Sequence, residues 1–340
     1  MLRILCFAAA LAVAPAGFAA AQGQAPPDVP TPTDIKPGSI NNEDVVYPYP
    51  VSYLPFVSYG EEVRMAYMDV KPAGQANGRS VVLFHGMNFA GFYWAGPIEV
   101  LRNAGYRVIV TDQIGFGRSS KPFSPTYNFN DMALNTRRVL EHLGIAKAAI
   151  VGHSMGGMLA ARFAALYPDV TERVVMYSPI GVTDARRERP FRGFDEAYKQ
   201  TLGYTYQQAY GTIRRYFPTP QSWKPEYEKL ARLLYAWTLS GEWPRMARIR
   251  TMLQQQVYMD PVIYDWAAIK SKAMVIGGTI DGADFTAAAK RIVAAIPGGA
   301  HLVLEEGAGH VLHYERPEVF NRELLKFLAS DAAPSTQGRK

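Results

Sequence analysis

Residues 148–168 read AAIVGHSMGGMLAARFAALYP and constrain this chain more than any other stretch. The β-branched pair Ile150 and Val151 leads into Gly152, His153, Ser154, Met155 and Gly156, and an Ala- and Leu-rich helical segment follows. That order is a strand, a sharp turn and a helix, with a serine at the apex. So sharp a turn forces the apex residue into strained backbone geometry, and the residues two away on either side must be small. Gly152 and Gly156 meet that demand, and Gly157 lets the helix pack close to the sheet. The hydroxyl is raised above the sheet edge, and the helix N-terminus aims backbone N–H groups at the same point. Ser154 is therefore the candidate nucleophile. A chain with 29 glycines can spell G-x-S-x-G by accident, so the weight rests on the strand before it and the helix after it.

The N-terminus is a different object. Met1, Leu2 and Arg3 make a short positive start, residues 4–14 an apolar run, and Ala19, Ala20 and Ala21 a cleavage site before Gln22. Residues 1–21 read as a secretory signal peptide, which implies the periplasm or the outside of the cell. A spanning anchor is the weaker reading, because the run is short and Pro15 and Gly17 interrupt it. Cys6 is the only cysteine and lacks the small-residue context of a lipid-modified one. The mature chain is thus expected to hold no disulfide, no cysteine-bound metal and no membrane anchor. Its net charge of +6 becomes +5 without Arg3 and is spread along the chain, which gives no argument for nucleic acid. Nothing in the sequence fixes the oligomeric state.

Residues 22–49 are Pro-rich without periodicity and read as a linker or extended arm. From residue 50 the pattern is aromatic and β-branched. Residues 51–59 and 63–70 predict an antiparallel pair joined near Gly60, and residues 80–84 (SVVLF) a strand buried on both faces. Strands at 107–111, 148–151, 174–177, 272–276 and 301–304 then alternate with helices at 98–104, 131–143, 285–295 and 317–328. Such alternation means an α/β fold, a mostly parallel central sheet covered by helices on both faces. The rhythm fails between residues 182 and 265, where strands vanish and aromatics crowd helical stretches. This predicts a helical insertion dividing a core of residues 50–181 and 266–329, with residues 330–340 as a disordered tail. Some of those aromatics must form the insertion's own core, and the rest are free to line a pocket beneath it.

A serine needs a base. Of six histidines, His85 and His153 sit in turn motifs, His142 on the exposed side of a helix, and His301 at a strand start. His310 lies in the Gly-flexed loop EGAGH after the last strand, at the C-terminal edge where sites on parallel sheets assemble. His313, three residues on, suits a supporting role. The imidazole needs an acid to fix its tautomer. Asp281 and Asp284 both follow the strand ending near residue 276, and Asp284 is the better N-cap for the next helix, leaving Asp281 as the acid. The order Ser154, Asp281, His310 suits a triad of this type. For the oxyanion hole, the N–H of Met155 follows the nucleophile, and the N–H of Met87 lies in the loop His85-Gly86-Met87-Asn88, where Gly86 would permit unusual backbone. The loop DQIGFGRS (residues 112–119) has glycines for a tight turn but lacks a phosphate-cradling pattern.

Together these motifs resemble the α/β-hydrolase family, in the branch with H-G-x in the oxyanion loop, D-x-x-G-x-G-x-S, G-H-S-M-G-G at the elbow, G-x-x-D before the acid and A-G-H at the base. The resemblance spans about residues 50–328 and implies that residues 182–265 are a helical cap and that the triad is catalytic. Epoxide hydrolases and haloalkane dehalogenases of the family carry aspartate at the elbow, so Ser154 argues against both. Ester hydrolysis is the commonest serine chemistry left. An exported esterase for apolar or aromatic esters, needing no cofactor and no metal, is the expectation. C–C, amide or lactone cleavage by the same triad and a ligand-binding role without turnover are the alternatives. The neutral form of His310 must act as base, so kcat/KM should rise with pH through the ordinary imidazole range, about 6.5. Arg186, Arg187, Arg189 and Arg192 read as a solvated run that could also receive a substrate carboxylate.

Overall fold

A computed structural model of the chain describes residues 28–282 and 284–330. The signal peptide expected at residues 1–21, the first residues of the arm and nearly all of the expected tail lie outside the described residues.

The first two strands, β1 (Ser52–Ser58) and β2 (Glu61–Val70), form an antiparallel hairpin. Tyr59 and Gly60 turn it with φ of 51° and 78°, the left-handed pair that a two-residue hairpin turn requires. The chain continues through β3 (Ser80–Phe84), α1 (Ala95–Asn103), β4 (Arg107–Thr111), α2 (Phe129–His142), β5 (Ala148–His153), α3 (Met155–Leu166) and β6 (Thr171–Tyr177). Four helices follow: α4 (Phe194–Leu202), α5 (Tyr206–Tyr216), α6 (Glu228–Thr238) and α7 (Trp243–Met259). The sheet then resumes with β7 (Lys272–Gly278), α8 (Phe285–Ala295) and β8 (His301–Glu305), and closes with the short α9 (Leu312–Glu315) and α10 (Pro317–Ala329). The strands form one sheet in the order β1-β2-β4-β3-β5-β6-β7-β8, parallel from β4 to β8.

This is the expected mostly parallel sheet, with the antiparallel hairpin at one edge. Parallel strands flanked by helices bury both faces, which is why β3, β5 and β7 are almost wholly buried runs and do not alternate. Between β6 and β7 the described residues contain no strand. The helical insertion has its own aromatic core, in which Phe217 stacks on Tyr227 with centroids 3.9 Å apart and Trp223 packs edge-on against both.

The insertion is fastened to the sheet at its root. Gly181 C=O accepts the Val262 N–H at 3.2 Å, and Tyr264 Oη donates to Asp184 Oδ2 at 3.0 Å, so the chain leaves and returns side by side. Arg162 on α3 donates to Asp260 and Asp265 at 2.5–2.9 Å and to Asn130 at 2.7 Å. The helix carrying the elbow is thereby tied to the returning segment by a buried fork of charge-assisted bonds. The Pro-rich arm from residue 28 has no regular structure, yet it is docked. Its Asp34 pairs with Arg232 at 2.6 Å, Gly38 N–H meets Ala236 C=O, and Tyr47 Oη donates to Asp112 at 2.6 Å. It thus touches both the insertion and the sheet domain.

Candidate active site

Ser154 sits between β5 and α3 with φ 58° and ψ −115°, a conformation that costs energy for any residue with a Cβ. Its surroundings leave it no alternative. A Cβ on Gly152 would lie 1.8 Å from the Gly156 carbonyl oxygen, and one on Gly156 would lie 2.3 Å from that of Phe84. Strand, turn and helix therefore approach to backbone contact, and the Ser154 N–H is pinned to the Tyr177 C=O at 2.9 Å. Met155 opens α3, so its N–H has no carbonyl of its own helix to meet.

The loop of residues 85–88, expected to carry an oxyanion donor, closes over this turn. A Cβ on Gly86 would stand 3.3 Å from Ser154 Cβ, so glycine is needed there for close approach. The expectation that Gly86 supplies unusual backbone is corrected, because it is absent from the residues with positive φ. The Gly86 C=O accepts from His85 Nδ1 at 2.9 Å, while His85 Nε2 accepts the Gln113 N–H at 3.1 Å. Burial holds His85 below the usual imidazole range and so keeps it neutral, which fixes that tautomer. The bond to Gly86 C=O polarises the peptide whose N–H belongs to Met87, and that N–H meets no acceptor among the described residues.

Asp281 and His310 come from the loops after β7 and β8 and meet at the same sheet edge. His310 Nδ1 lies 2.8 Å from Asp281 Oδ1, with both side chains about nine-tenths buried. Gly278 is required here, because a Cβ would lie 1.9 Å from the Ala308 carbonyl oxygen of the base loop. Asp284 is turned elsewhere. It occupies the N-cap position of α8 but makes no side-chain cap bond, since its carboxylate pairs with Arg291 at 3.0 Å. Its expected capping is therefore corrected. No hydrogen bond joins Ser154 Oγ to His310 Nε2; bonds of this kind tighten when substrate binds.

His153, which the sequence leaves in a turn motif, and Tyr93, which it does not single out, form a bridge behind the elbow. Tyr93 Oη accepts the Gly86 N–H at 3.0 Å and lies 3.0 Å from His153 Nδ1, while His153 Nε2 lies 2.9 Å from the His310 C=O. Burial keeps His153 neutral, so Tyr93 donates to Nδ1 and Nε2–H donates to the carbonyl. His313 is buried on α9 with Nδ1 3.1 Å from Tyr177 Oη, and its pKa is pushed down to about 3. Of the arginines at 186–192, Arg186 is spent on Asp184, Arg192 on Glu196 and Gln200, and Arg189 lies over the Tyr258 ring.

These imidazoles make the fold acid-sensitive. The folded values of His85, His153 and His313 lie below the unfolded value, about 6.5, so the unfolded chain binds more protons as pH falls. Their stabilising contribution is whole above that value and erodes toward the folded ones. Each ring contributes to the slope only where it is protonated in the unfolded chain and still neutral in the folded one. Glu315 and Asp265, whose carboxyls burial raises, offset part of this in the carboxylate range. Urea unfolding should therefore show a clearly lower midpoint at about pH 5.5 than near pH 7.5. Equal midpoints would mean that these rings are not buried neutral.

Among the described residues no helix is long and apolar enough to cross a membrane. The sequence profile of the alpha/beta hydrolase family matches residues 81–323. A crystal structure described as a probable hydrolytic enzyme from Pseudomonas aeruginosa PAO1 is 34% identical, with a TM-score of 0.82, over 87% of this chain and 99% of that one. The 2-hydroxy-6-oxononadienedioate/2-hydroxy-6-oxononatrienedioate hydrolase of Burkholderia vietnamiensis is 28% identical over 81% of this chain and 94% of its own length. A Pantoea ananatis protein provisionally named a carbamate hydrolase is 26% identical over 78% and 94%. With its sheet order, its serine elbow and this match over most of its length, the chain belongs to the alpha/beta hydrolase family and is a hydrolytic enzyme acting on small organic substrates.

Proposed function

We propose that the enzyme cleaves an acyl bond of a small organic molecule through an acyl-enzyme on Ser154. His310 takes the Ser154 proton and later delivers it to the leaving group, Asp281 orients His310, and the Met87 and Met155 N–H groups receive the oxyanion. The observation that carries this reading is the 2.8 Å bond from Asp281 to His310 Nδ1. It holds the opposite nitrogen, Nε2, as the free base at the sheet edge where the strained serine stands.

The bond cleaved is proposed to be of the C–C, amide or lactone kind, in place of the simple ester that the sequence favours. The relatives support this. A 2-hydroxy-6-oxo dioate has no ester, lactone or amide linkage, so the hydrolase named for it must cut a carbon–carbon bond, and the provisional carbamate hydrolase is named for a carbonyl–nitrogen bond. All four bond types pass through the same attack on a carbonyl carbon, and the difference lies in what leaves. The insertion's aromatic residues favour an apolar or aromatic acyl part. The reading also takes residues 1–21 as an export signal, with the mature enzyme working in the periplasm or outside the cell.

A panel of p-nitrophenyl esters, aryl lactones, carbamates and vinylogous 1,5-diketones separates these bonds. The expected result is that one of the last three classes exceeds the best simple ester in kcat/KM by at least about tenfold. A panel in which short aliphatic esters win returns the enzyme to the esterases.

A further inference from the structure

Arg250 lies on α7 of the insertion, far from the sheet in sequence, and only 7% of it is exposed. No carboxylate among the described residues pairs with it. Its guanidinium instead holds the oxyanion loop, with Nη1 donating to the Met87 C=O at 3.2 Å and Nη2 to Asn88 Oδ1 at 2.6 Å. Asn88 passes the link on, since its Nδ2 donates to Tyr216 Oη at 2.6 Å. Tyr216, the last residue of α5, reaches the base twice. Its C=O accepts the His310 N–H at 3.0 Å, and its ring lies against the imidazole with centroids 4.7 Å apart.

An arginine buried without an anion is costly, and neutral acceptors offset that cost only in part. Burial accordingly draws the guanidinium below its usual range. A group this expensive has to do something that a neutral side chain cannot. Its position says what. The carbonyl it grips belongs to Met87, whose N–H is the proposed oxyanion donor, and a two-armed fork fixes direction as well as distance.

We propose that Arg250 is a positioning residue for the reaction: together with Asn88 and Tyr216 it forms a clamp by which the insertion sets the Met87 N–H and the His310 ring in register. The insertion is then part of the catalytic apparatus as well as a wall of the substrate site. The clamp is distinct from the bridge through Tyr93 and His153, which is built from sheet-domain residues alone. It rests on the reading of Ser154 as nucleophile and Met87 as donor.

The test uses an alkyl fluorophosphonate, which needs the nucleophile, base and oxyanion hole but no knowledge of the natural bond. Ser154 Oγ forms the O–P bond, the P–F bond breaks, fluoride leaves, and His310 takes the hydroxyl proton. In Arg250→Met the maximal labelling rate is expected to fall about 100-fold, with the half-saturating concentration little changed. Arg250→Lys, a point charge in place of a fork, should recover only part of it. Asn88→Ala, which cuts the clamp at its middle, should show the same loss in maximal rate and carries the test if Arg250→Met proves unfolded by circular dichroism. A folded variant labelled within about threefold of the wild-type rate, or slowed only in half-saturation, overturns the clamp. A wild-type enzyme that is not labelled at all overturns the nucleophile reading and the clamp with it.

Discussion

Replacing Ser154 by alanine is expected to lower kcat by about 10⁶-fold while leaving the fold intact. The size follows from the mechanism. Without the oxygen no covalent intermediate forms, and the oxyanion donors and binding surface alone leave only a small residual rate over water. The backbone consequences are small, because the turn is imposed by its neighbours. Gly152 and Gly156 bring strand and helix to backbone contact, and the Ser154 N–H is held by Tyr177, whichever side chain stands at the apex. The thermal midpoint of Ser154→Ala should equal or exceed that of the wild type, since a buried hydroxyl is removed from a strained site. Kinetics on the best substrate and a melting curve check both parts. A large residual rate would place the chemistry elsewhere.

Asp281→Asn is the second large effect, about 10⁴-fold in kcat with KM nearly unchanged. The asparagine has the shape of the aspartate and keeps a hydrogen bond to His310 Nδ1. It can keep it in the wrong sense, however, with its amide donating to Nδ1 and the ring proton moved to Nε2. The nitrogen proposed to take the serine proton is then a donor and no longer a base. Asp284→Asn provides the contrast. Its carboxylate serves Arg291 on the outside of α8, so kcat should stay within about twofold of wild type. Equal losses in the two variants would show that the acid has been misassigned between them.

Much of the fold was legible because its signals are local. SVVLF predicts a strand at the very residues that form β3, and RVIVT does the same for β4, since a strand buried on both faces must be continuously apolar. The helix at 285–295 begins and ends where its sequence predicts, bounded by Asp284 and by the turn at Pro297. The elbow was legible for a sharper reason: backbone contact at Gly152 and Gly156 excludes every side chain, so geometry appears directly as residue type. The pairing of Asp281 with His310 could be anticipated, because parallel topology delivers both loops to one edge.

What stayed hidden depends on long-range placement. Arg250 is one of several arginines on an amphipathic helix, and nothing in residues 243–259 marks it as the one turned inward. Asn88 looks like an ordinary loop residue until Tyr216 and Arg250 arrive from more than a hundred residues away. His153 and Tyr93 likewise gain their role only when strand β5 and the segment after β3 lie side by side. The Pro-rich arm has no periodicity to read, and its docking comes from single contacts such as Asp34 with Arg232. The capping expected of Asp284 failed for a local reason, because Arg291, two helical turns on along the same face, competes for its carboxylate.

The measurement that bears most directly on the central claim is the mass of the enzyme in the first moments of turnover. Wild-type protein mixed with its best substrate and quenched in acid before steady state should carry an added mass equal to the acyl group. Peptide mapping should place it on Ser154, and the adduct should decay at the rate of turnover. Turnover with no adduct at any quench time, or an adduct mapped to another residue, would contradict the account.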